Sequence, residues 1–259
     1  MGLKEATPHG QNDIEIMILA GGPSLNDFED DIREKRDAGM PLVTTNGAYN
    51  WCLDRDIKPS MQVVVDGRDF NKRFVIPNIP NCHYFLASQC SPEIIKAAPK
   101  DQVYLWHAGM ADAVKNSLET YDSKREESRK WYPVMGGTTV MLRTIPMLIM
   151  LGYHRFHIYG FDSCVMEDKH HAYNQEENEG KREMGVRLGG KEFKCQMWMW
   201  VQAQEFIDIQ KMIAEHCELA VYGNGLIAHI IETAAELSKE QQNGGISIQH
   251  VQQLEAVSN

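Results

Sequence analysis

Ile14-Glu15-Ile16-Met17-Ile18-Leu19, running into Ala20-Gly21-Gly22-Pro23-Ser24-Leu25, decides the fold of this chain. A short apolar run stops at two glycines, a proline and a serine, and a stretch rich in Asp and Glu follows. A buried parallel strand that ends in a tight turn and enters a helix reads this way. Gly21 and Gly22 carry no Cβ, so the backbone there can bend sharply and approach a ligand. Pro23 suits the first turn of a helix, and Ser24 sets a hydroxyl beside the unpaired N–H groups. The turn is an anion cradle at a helix N-terminus, or plain structural punctuation. Neither the dinucleotide fingerprint G-x-G-x-x-G nor the phosphate loop G-x-x-x-x-G-K-[ST] is present.

Outward from this turn, strands are expected at residues 14–19, 41–45, 61–65, 83–87, 103–106, 155–159 and 219–222. Helices are expected at 28–38, 48–55, 92–97, 138–151, 198–216 and 226–237. The alternation, with several strands apolar throughout, predicts an α/β fold: a doubly wound, Rossmann-like, mostly parallel sheet with helices on both faces. A single domain is expected over residues 1–237, carrying a long polar insertion at about 167–194 that reads as a lid. Residues 112–130 read as a charged surface helix or loop. Residues 238–259, polar and Gln-rich, read as a frayed tail or a short oligomerisation helix.

Composition narrows the function classes. The 259 residues can bury a full core. Hydrophobic residues are 43% and charged residues 24%, as in ordinary globular proteins. A net charge of −10 speaks against a broad surface for duplex nucleic acid. The six cysteines form no C-x-x-C pair, a pattern of buried reduced thiols and not of disulfides or zinc. Residues 1–12 are polar, unlike a signal peptide, and the longest apolar stretch, residues 145–151, is too short to span a membrane. The expected location is the cytoplasm.

Ligands in such folds gather at the carboxyl ends of the strands. Asn46 follows the second expected strand and can bind a ligand or cap the next helix. Asp66 follows the third, in Asp66-Gly67-Arg68, where it could ligate Mg²⁺ between phosphates or simply form an Asp-Gly turn. Gly136-Gly137-Thr138-Thr139 opens a helix and makes a second cradle, or a threonine cap. Asp162, after the sixth expected strand, can bind a ribose hydroxyl, a metal or a substrate hydroxyl, or hold a turn. His171, in His170-His171-Ala172-Tyr173 of the insertion, suits acid–base work near neutral pH. His154, His157 and His229 read as structural, and Met197-Trp198-Met199-Trp200 as helix packing or a pocket wall.

Together, Leu19–Leu25, Asn46, Asp66, Gly136–Thr139 with Leu151-Gly152-Tyr153, and Gly160-Phe161-Asp162 with His171-Ala172 resemble the MptE-like family. That family includes archaeal hydroxymethylpterin diphosphokinases and Maf-type flagellin glycosyltransferases. More distantly the layout resembles bacterial sialyltransferases that use CMP-activated sugars. The resemblance covers residues 14–237. It implies a nucleotide pocket built from Gly21, Gly22, Pro23, Ser24, Asn46, Asp66 and Gly136 to Thr139, with a nucleotide or nucleotide-sugar as partner. Gly160, Asp162, His171 and Ala172 match the Maf-like branch, which implies a glycosyltransferase with His171 and Asp162 as catalytic residues. The sialyltransferases carry their catalytic histidine later, whereas residues 189–200 hold none here. Those metal-independent enzymes also have an amide where Asp66 stands, and an acid there implies the alternative, a Mg²⁺-dependent diphosphokinase. No cofactor other than Mg²⁺ is implied. A non-catalytic nucleotide-binding or assembly protein is the third reading, and the acceptor is left open.

Overall fold

The computed structural model describes residues 3–109, 111–124, 131–175, 181–242 and 255–257. Strand β2 (Glu15–Leu19) sits centrally in the sheet, between β3 (Leu42–Thr45) and β8 (Arg155–Tyr159). On the β3 side follow β4 (Met61–Val64), β5 (His83–Ala87), β6 (Val103–Ala108) and the short edge strand β1 (Lys4–Glu5). On the β8 side lies β11 (Glu218–Tyr222), and β7 (Pro133–Val134) pairs with the end of β6. Every pairing in this sheet is parallel. The chain winds outward from β2 to β6, then returns to add β8 on β2's other side. The strand order therefore reverses between β2 and β8, and a crevice opens there beyond the strand ends.

Alternate residues of β2 feed opposite layers, as a strand's two-residue period requires. Ile16 and Ile18 join the larger core under α5 (Val140–Met150), α6 (Met197–Ile213) and α7 (Leu226–Gln242), with Leu142, Ile145, Phe206 and Ile230. Met17 and Leu19 join the smaller core under α1 (Glu29–Asp37) and α2 (Ala48–Leu53), with Ile32, Trp51 and Cys52. Ile16 to Leu19 have no exposed surface. Burying each such side chain contributes roughly 1.5–3 kcal/mol, which is why the run is apolar throughout.

The sequence-read strands and helices appear, with shifts of a few residues at their ends. The glycine turn does not lead straight into an α-helix: Pro23–Phe28 is a 3-10 helix that precedes α1. Five strands were not anticipated. Two are the short β1 and β7. Two more, β9 (Glu183–Leu188) and β10 (Lys191–Gln196), form an antiparallel hairpin across Gly189-Gly190, both with positive φ. The insertion thus builds a sheet of its own. The fifth, β12 (Glu255–Val257), pairs antiparallel with β9, and α7 continues past Leu237 to Gln242, so the polar tail contributes to both elements. The charged stretch begins as helix α4 (Ala111–Ser123), while residues 125–130 of it lie outside the described set. Among the described residues no helix is long and apolar enough to cross a membrane.

Candidate functional site

A cavity of about 300 Å³ opens at the carboxyl ends of β2, β3, β4 and β8, at the point where the strand order reverses. Of the residues picked out in the sequence, Gly21, Gly22, Asn46, Asp66, Thr138, Thr139, Asp162 and His171 line it. Pro23 and Ser24 are buried behind it, and Gly136 and Gly137 stand back from its wall.

The first glycine turn holds a carboxylate of the protein itself. Asp162 Oδ2 accepts from the Ser24 backbone N–H at 2.9 Å, and its Oδ1 accepts from Ser24 Oγ at 2.6 Å. Asp162 therefore caps the 3-10 helix at the place where a phosphate would sit. Burial pushes the Asp162 carboxyl above its ordinary range, against the Ser24 hydrogen bonds that lower it. Gly22 is required by this contact, because a Cβ there would stand 2.5 Å from Gly160 O and overlap Asp162.

Gly21 makes room for the insertion instead. A Cβ at Gly21 would lie 3.1 Å from Tyr173 Cζ and 3.2 Å from His171 Cδ2, and one at Gly47 would meet the same Tyr173 ring. Gly21 O accepts from Ala172 N at 3.0 Å, and Asn26 Nδ2 donates to Ala172 O at 3.2 Å. The His170–Tyr173 segment is thus pinned over the strand ends as a roof. The His171 ring lies parallel to Trp198 at the start of α6, with centroids 6.0 Å apart and an interplanar angle of 15°. Trp198 is held by Nε1–H donation to Gln196 Oε1 at 2.7 Å.

The second glycine turn also faces a carboxylate. Thr138 donates to Glu205 Oε2 from its backbone N–H at 2.9 Å and from Oγ1 at 2.8 Å. Thr139 caps α5, its Oγ1 accepting from Leu142 N at 3.5 Å and from Gln202 Nε2 at 2.7 Å. Gln202 in turn accepts from Ser163 Oγ at 2.9 Å, linking α5, α6 and the end of β8. Gln202 lines the cavity and Glu205 stands behind Thr138, and sequence reading singled out neither. Their signal is two polar side chains three apart on a largely apolar helix, and so on one face.

Asp66 is bound by a guanidinium. Arg68 Nε donates to Asp66 Oδ1 at 2.9 Å and Nη2 to Oδ2 at 2.6 Å, a bidentate pair. Burial raises the Asp66 carboxyl, but the Arg68 hydrogen bonds outweigh it and hold the group below its ordinary range. With both oxygens on a cation, this carboxylate does not suit a Mg²⁺ ion. No group of three or more His, Cys, Asp or Glu capable of holding a metal occurs among the described residues. Arg68 remains more than half exposed beside the cavity, as a cation that an anionic ligand can approach.

Asn46 adopts a left-handed conformation, φ 45°, fixed by its N–H to Val63 O at 3.1 Å and by Gln62 Nε2 donating to its carbonyl at 3.0 Å. Its Oδ1 is buried and has no hydrogen-bond partner among the described residues. Cavity walls keep such an atom only at a cost of about 1–3 kcal/mol, which a ligand donor would offset.

The parallel sheet with its strand-end cavity at a topological switch point is that of a doubly wound α/β protein of the Rossmann-like class. The chain belongs to the MptE-like family, whose model, described as 6-hydroxymethylpterin diphosphokinase MptE-like, matches residues 3–168. Among solved structures it is similar to the Maf glycosyltransferase from Magnetospirillum magneticum AMB-1, with a TM-score of 0.65 and 13% identity, over 93% of this chain and 39% of that one. The chain spans about two fifths of that protein's length, and at this identity the likeness is one of fold. No curated protein matches the sequence. Family membership supports a transferase as the class of activity.

Proposed function

We propose that the protein is a nucleotide-dependent transferase that moves a sugar from a nucleotide-activated donor, of the CMP-linked type, onto an acceptor hydroxyl. The observation that carries this reading is the roofed cavity: strand-end turns form its floor, and His171, stacked on Trp198, closes it from the insertion. The donor's phosphate lies toward Arg68 and Thr138, the donors not sealed behind the wall. Asn46 offers its unpartnered Oδ1 to the nucleotide or sugar. His171 accepts the acceptor's hydroxyl proton as the new sugar–oxygen bond forms and the sugar–phosphate bond breaks. Stabilising the departing phosphate carries most of the rate, because negative charge grows there in the transition state. Asp162 acts in this scheme as the cap of the Gly22–Ser24 turn, holding the floor in place.

The family's description favours a second reading, diphosphoryl transfer from ATP. The Arg68–Asp66 pair weighs against it, since the carboxylate that would hold a metal is already neutralised. A thermal-shift panel of CMP, CDP, UDP, GDP, ATP and CMP-sialic acid, each with and without Mg²⁺, separates the readings. Stabilisation by CMP compounds independent of metal supports glycosyl transfer. Stabilisation by ATP only with Mg²⁺ replaces it with the diphosphokinase. Binding without turnover of any donor leaves a nucleotide-binding protein, and full turnover by His171→Ala removes the catalytic assignment.

A further inference from the structure

A serine just after β5, a histidine of β6 and a glutamate of β1 stand in line outside the cavity described above. Ser88 follows β5 directly, and its side chain is exposed to solvent. Its Oγ lies 3.0 Å from Nδ1 of His107, a residue of β6 that is 5% exposed. The other ring nitrogen, Nε2, lies 2.9 Å from Oε2 of Glu5 on the edge strand β1. In the neutral tautomer that donates from Nε2 to the Glu5 carboxylate, Nδ1 is the acceptor facing the hydroxyl.

The surroundings hold this order. Parallel pairing sets Glu5 against Leu105, two residues before His107, and Ala87 against Trp106. Trp131 packs edge-on against the His107 ring at 4.8 Å, so the imidazole cannot turn away from its two partners. Gln89 Oε1 is a longer, competing acceptor for the Ser88 hydroxyl at 3.3 Å, while Gln89 Nε2 is tied to Ala108 O. A buried histidine bonded on both sides needs only polar partners. Here one partner is a carboxylate and the other an exposed hydroxyl at a strand's carboxyl end, which is the arrangement of an activated nucleophile.

We propose that Ser88, His107 and Glu5 form a second reactive site, separate from the nucleotide cavity, in which Ser88 is a nucleophile toward small uncharged carboxylic esters. The class follows from the charge present. Glu5 sets a negative charge behind the base, which disfavours an anionic substrate, and among the described residues no Lys or Arg bonds to any of the three. In the reaction Ser88 Oγ bonds to the ester carbonyl carbon and its proton passes to His107 Nδ1. The carbon–alkoxide bond breaks, and that proton leaves with the alkoxide as an alcohol. Water then attacks the acyl group, giving its proton to Nδ1. The Oγ–carbon bond breaks and the proton returns to Ser88, so ester and water become acid and alcohol. Glu5 is a positioning residue, fixing the tautomer and stabilising the charged ring.

The test treats the full chain with an alkyl fluorophosphonate, which forms an oxygen–phosphorus bond with release of fluoride and a proton, and maps the adduct by peptide mass spectrometry. A parallel assay follows 4-nitrophenyl acetate. Labelling is expected on the Ser88 peptide, absent in Ser88→Ala and slowed at least tenfold in His107→Gln. Its rate should rise through one ionisation, whose midpoint moves to lower pH in Glu5→Gln. No adduct on Ser88 in folded wild type overturns the proposal, as does equal labelling of a folded His107→Gln. If His107→Gln does not fold, Glu5→Gln decides, and an unmoved pH midpoint overturns it. Ester turnover unaffected by Ser88→Ala assigns that activity elsewhere and likewise overturns it. None of these outcomes depends on the nucleotide cavity.

Discussion

Replacing Asp162 tests whether a buried carboxylate holds the glycine turn by geometry or by charge. In wild type it accepts two hydrogen bonds from Ser24 while 3% exposed. Asp162→Ala removes both acceptors and leaves the Ser24 N–H and hydroxyl buried without partners. Bonds to a charged group contribute about 1.5–3 kcal/mol each, so the loss is roughly 3–6 kcal/mol before any offset. Removing a desolvated charge returns part of that, leaving a net destabilisation of about 2–4 kcal/mol. Asp162→Asn behaves differently, because its oxygen can accept from the Ser24 N–H while its amide donates to Ser24 Oγ. That variant is expected within about 1 kcal/mol of wild type at pH 7. The pH dependence has a defined sign. The folded carboxyl titrates above the unfolded one, so the native state binds more protons between the two values. Wild-type stability therefore falls as pH rises from about 4 through the folded value, by at most about 1.4 kcal/mol per pH unit. Asp162→Asn lacks this slope. Urea denaturation of the three proteins at pH 5, 6, 7 and 8 measures all of it. If Asp162→Asn is as unstable as Asp162→Ala at pH 7, charge and not cap geometry holds the turn.

Other substitutions separate floor from roof. Gly22→Ala drives a Cβ against the fixed Gly160 carbonyl and should cost about 3 kcal/mol in urea melts, whereas Gly21→Ala meets the far end of Tyr173 and should cost under about 1 kcal/mol. Gly21→Ala should still weaken nucleotide binding in the thermal-shift panel; unchanged binding would mean that the Tyr173 roof does not cover the ligand. Tyr159→Phe removes the 2.5 Å bond to Asp31, whose carboxyl burial raises but the Lys35 and Tyr159 bonds hold down. Its deficit, about 1 kcal/mol at pH 7 given the screening at this open site, should shrink as pH falls below about 4, since a lowered carboxylate gives its stability only while ionised. Glu205→Gln should leave melting within about 1 kcal/mol and strengthen inorganic pyrophosphate binding severalfold, read by calorimetry; weaker binding would place the anion away from Thr138.

The sheet was legible because its strands announce themselves. Ile16 to Leu19 are apolar at every position, as only a strand covered on both faces needs to be, and the glycine turns mark where such strands end. The hairpin in the insertion was not, although Gly189-Gly190 between two runs is a hairpin signal. Val186, Leu188, Phe193, Cys195 and Gln196 are buried and Met184 is half-buried, while Arg187, Lys191, Glu192 and Lys194 are exposed, so each strand shows only a three-residue run of alternation inside a polar segment. The carboxylates on the two glycine turns were invisible for another reason. Asp162 meets Ser24 across 138 residues and Glu205 meets Thr138 across 67, and no local pattern encodes a contact made by sheet order and helix packing. Sequence reading located the turns at the site, but not what each turn binds.

The two turns, alike in sequence, differ in what a ligand can do to them. At the first, Asp162 borders the cavity but is 3% exposed, its carboxylate held by the buried Ser24, and Gly223 and Gly225 on the far side leave no room for a Cβ beside them. Expelling it would leave its carboxylate and two Ser24 donors to find new partners in a dry interior. At the second, Glu205 is only partly buried on α6 and can swing to solvent, releasing an exposed threonine with its N–H and hydroxyl. A phosphate can thus compete for Thr138 at low cost and cannot compete for Ser24. Arg68, on the β4 side of the same cavity, is paired with Asp66 but more than half exposed, so a phosphate can share its guanidinium. The proposed donor phosphate therefore belongs between Arg68 and Thr138, and the Gly21–Gly22 turn, the most phosphate-like motif in the sequence, serves as the rigid floor on which the His171 roof closes.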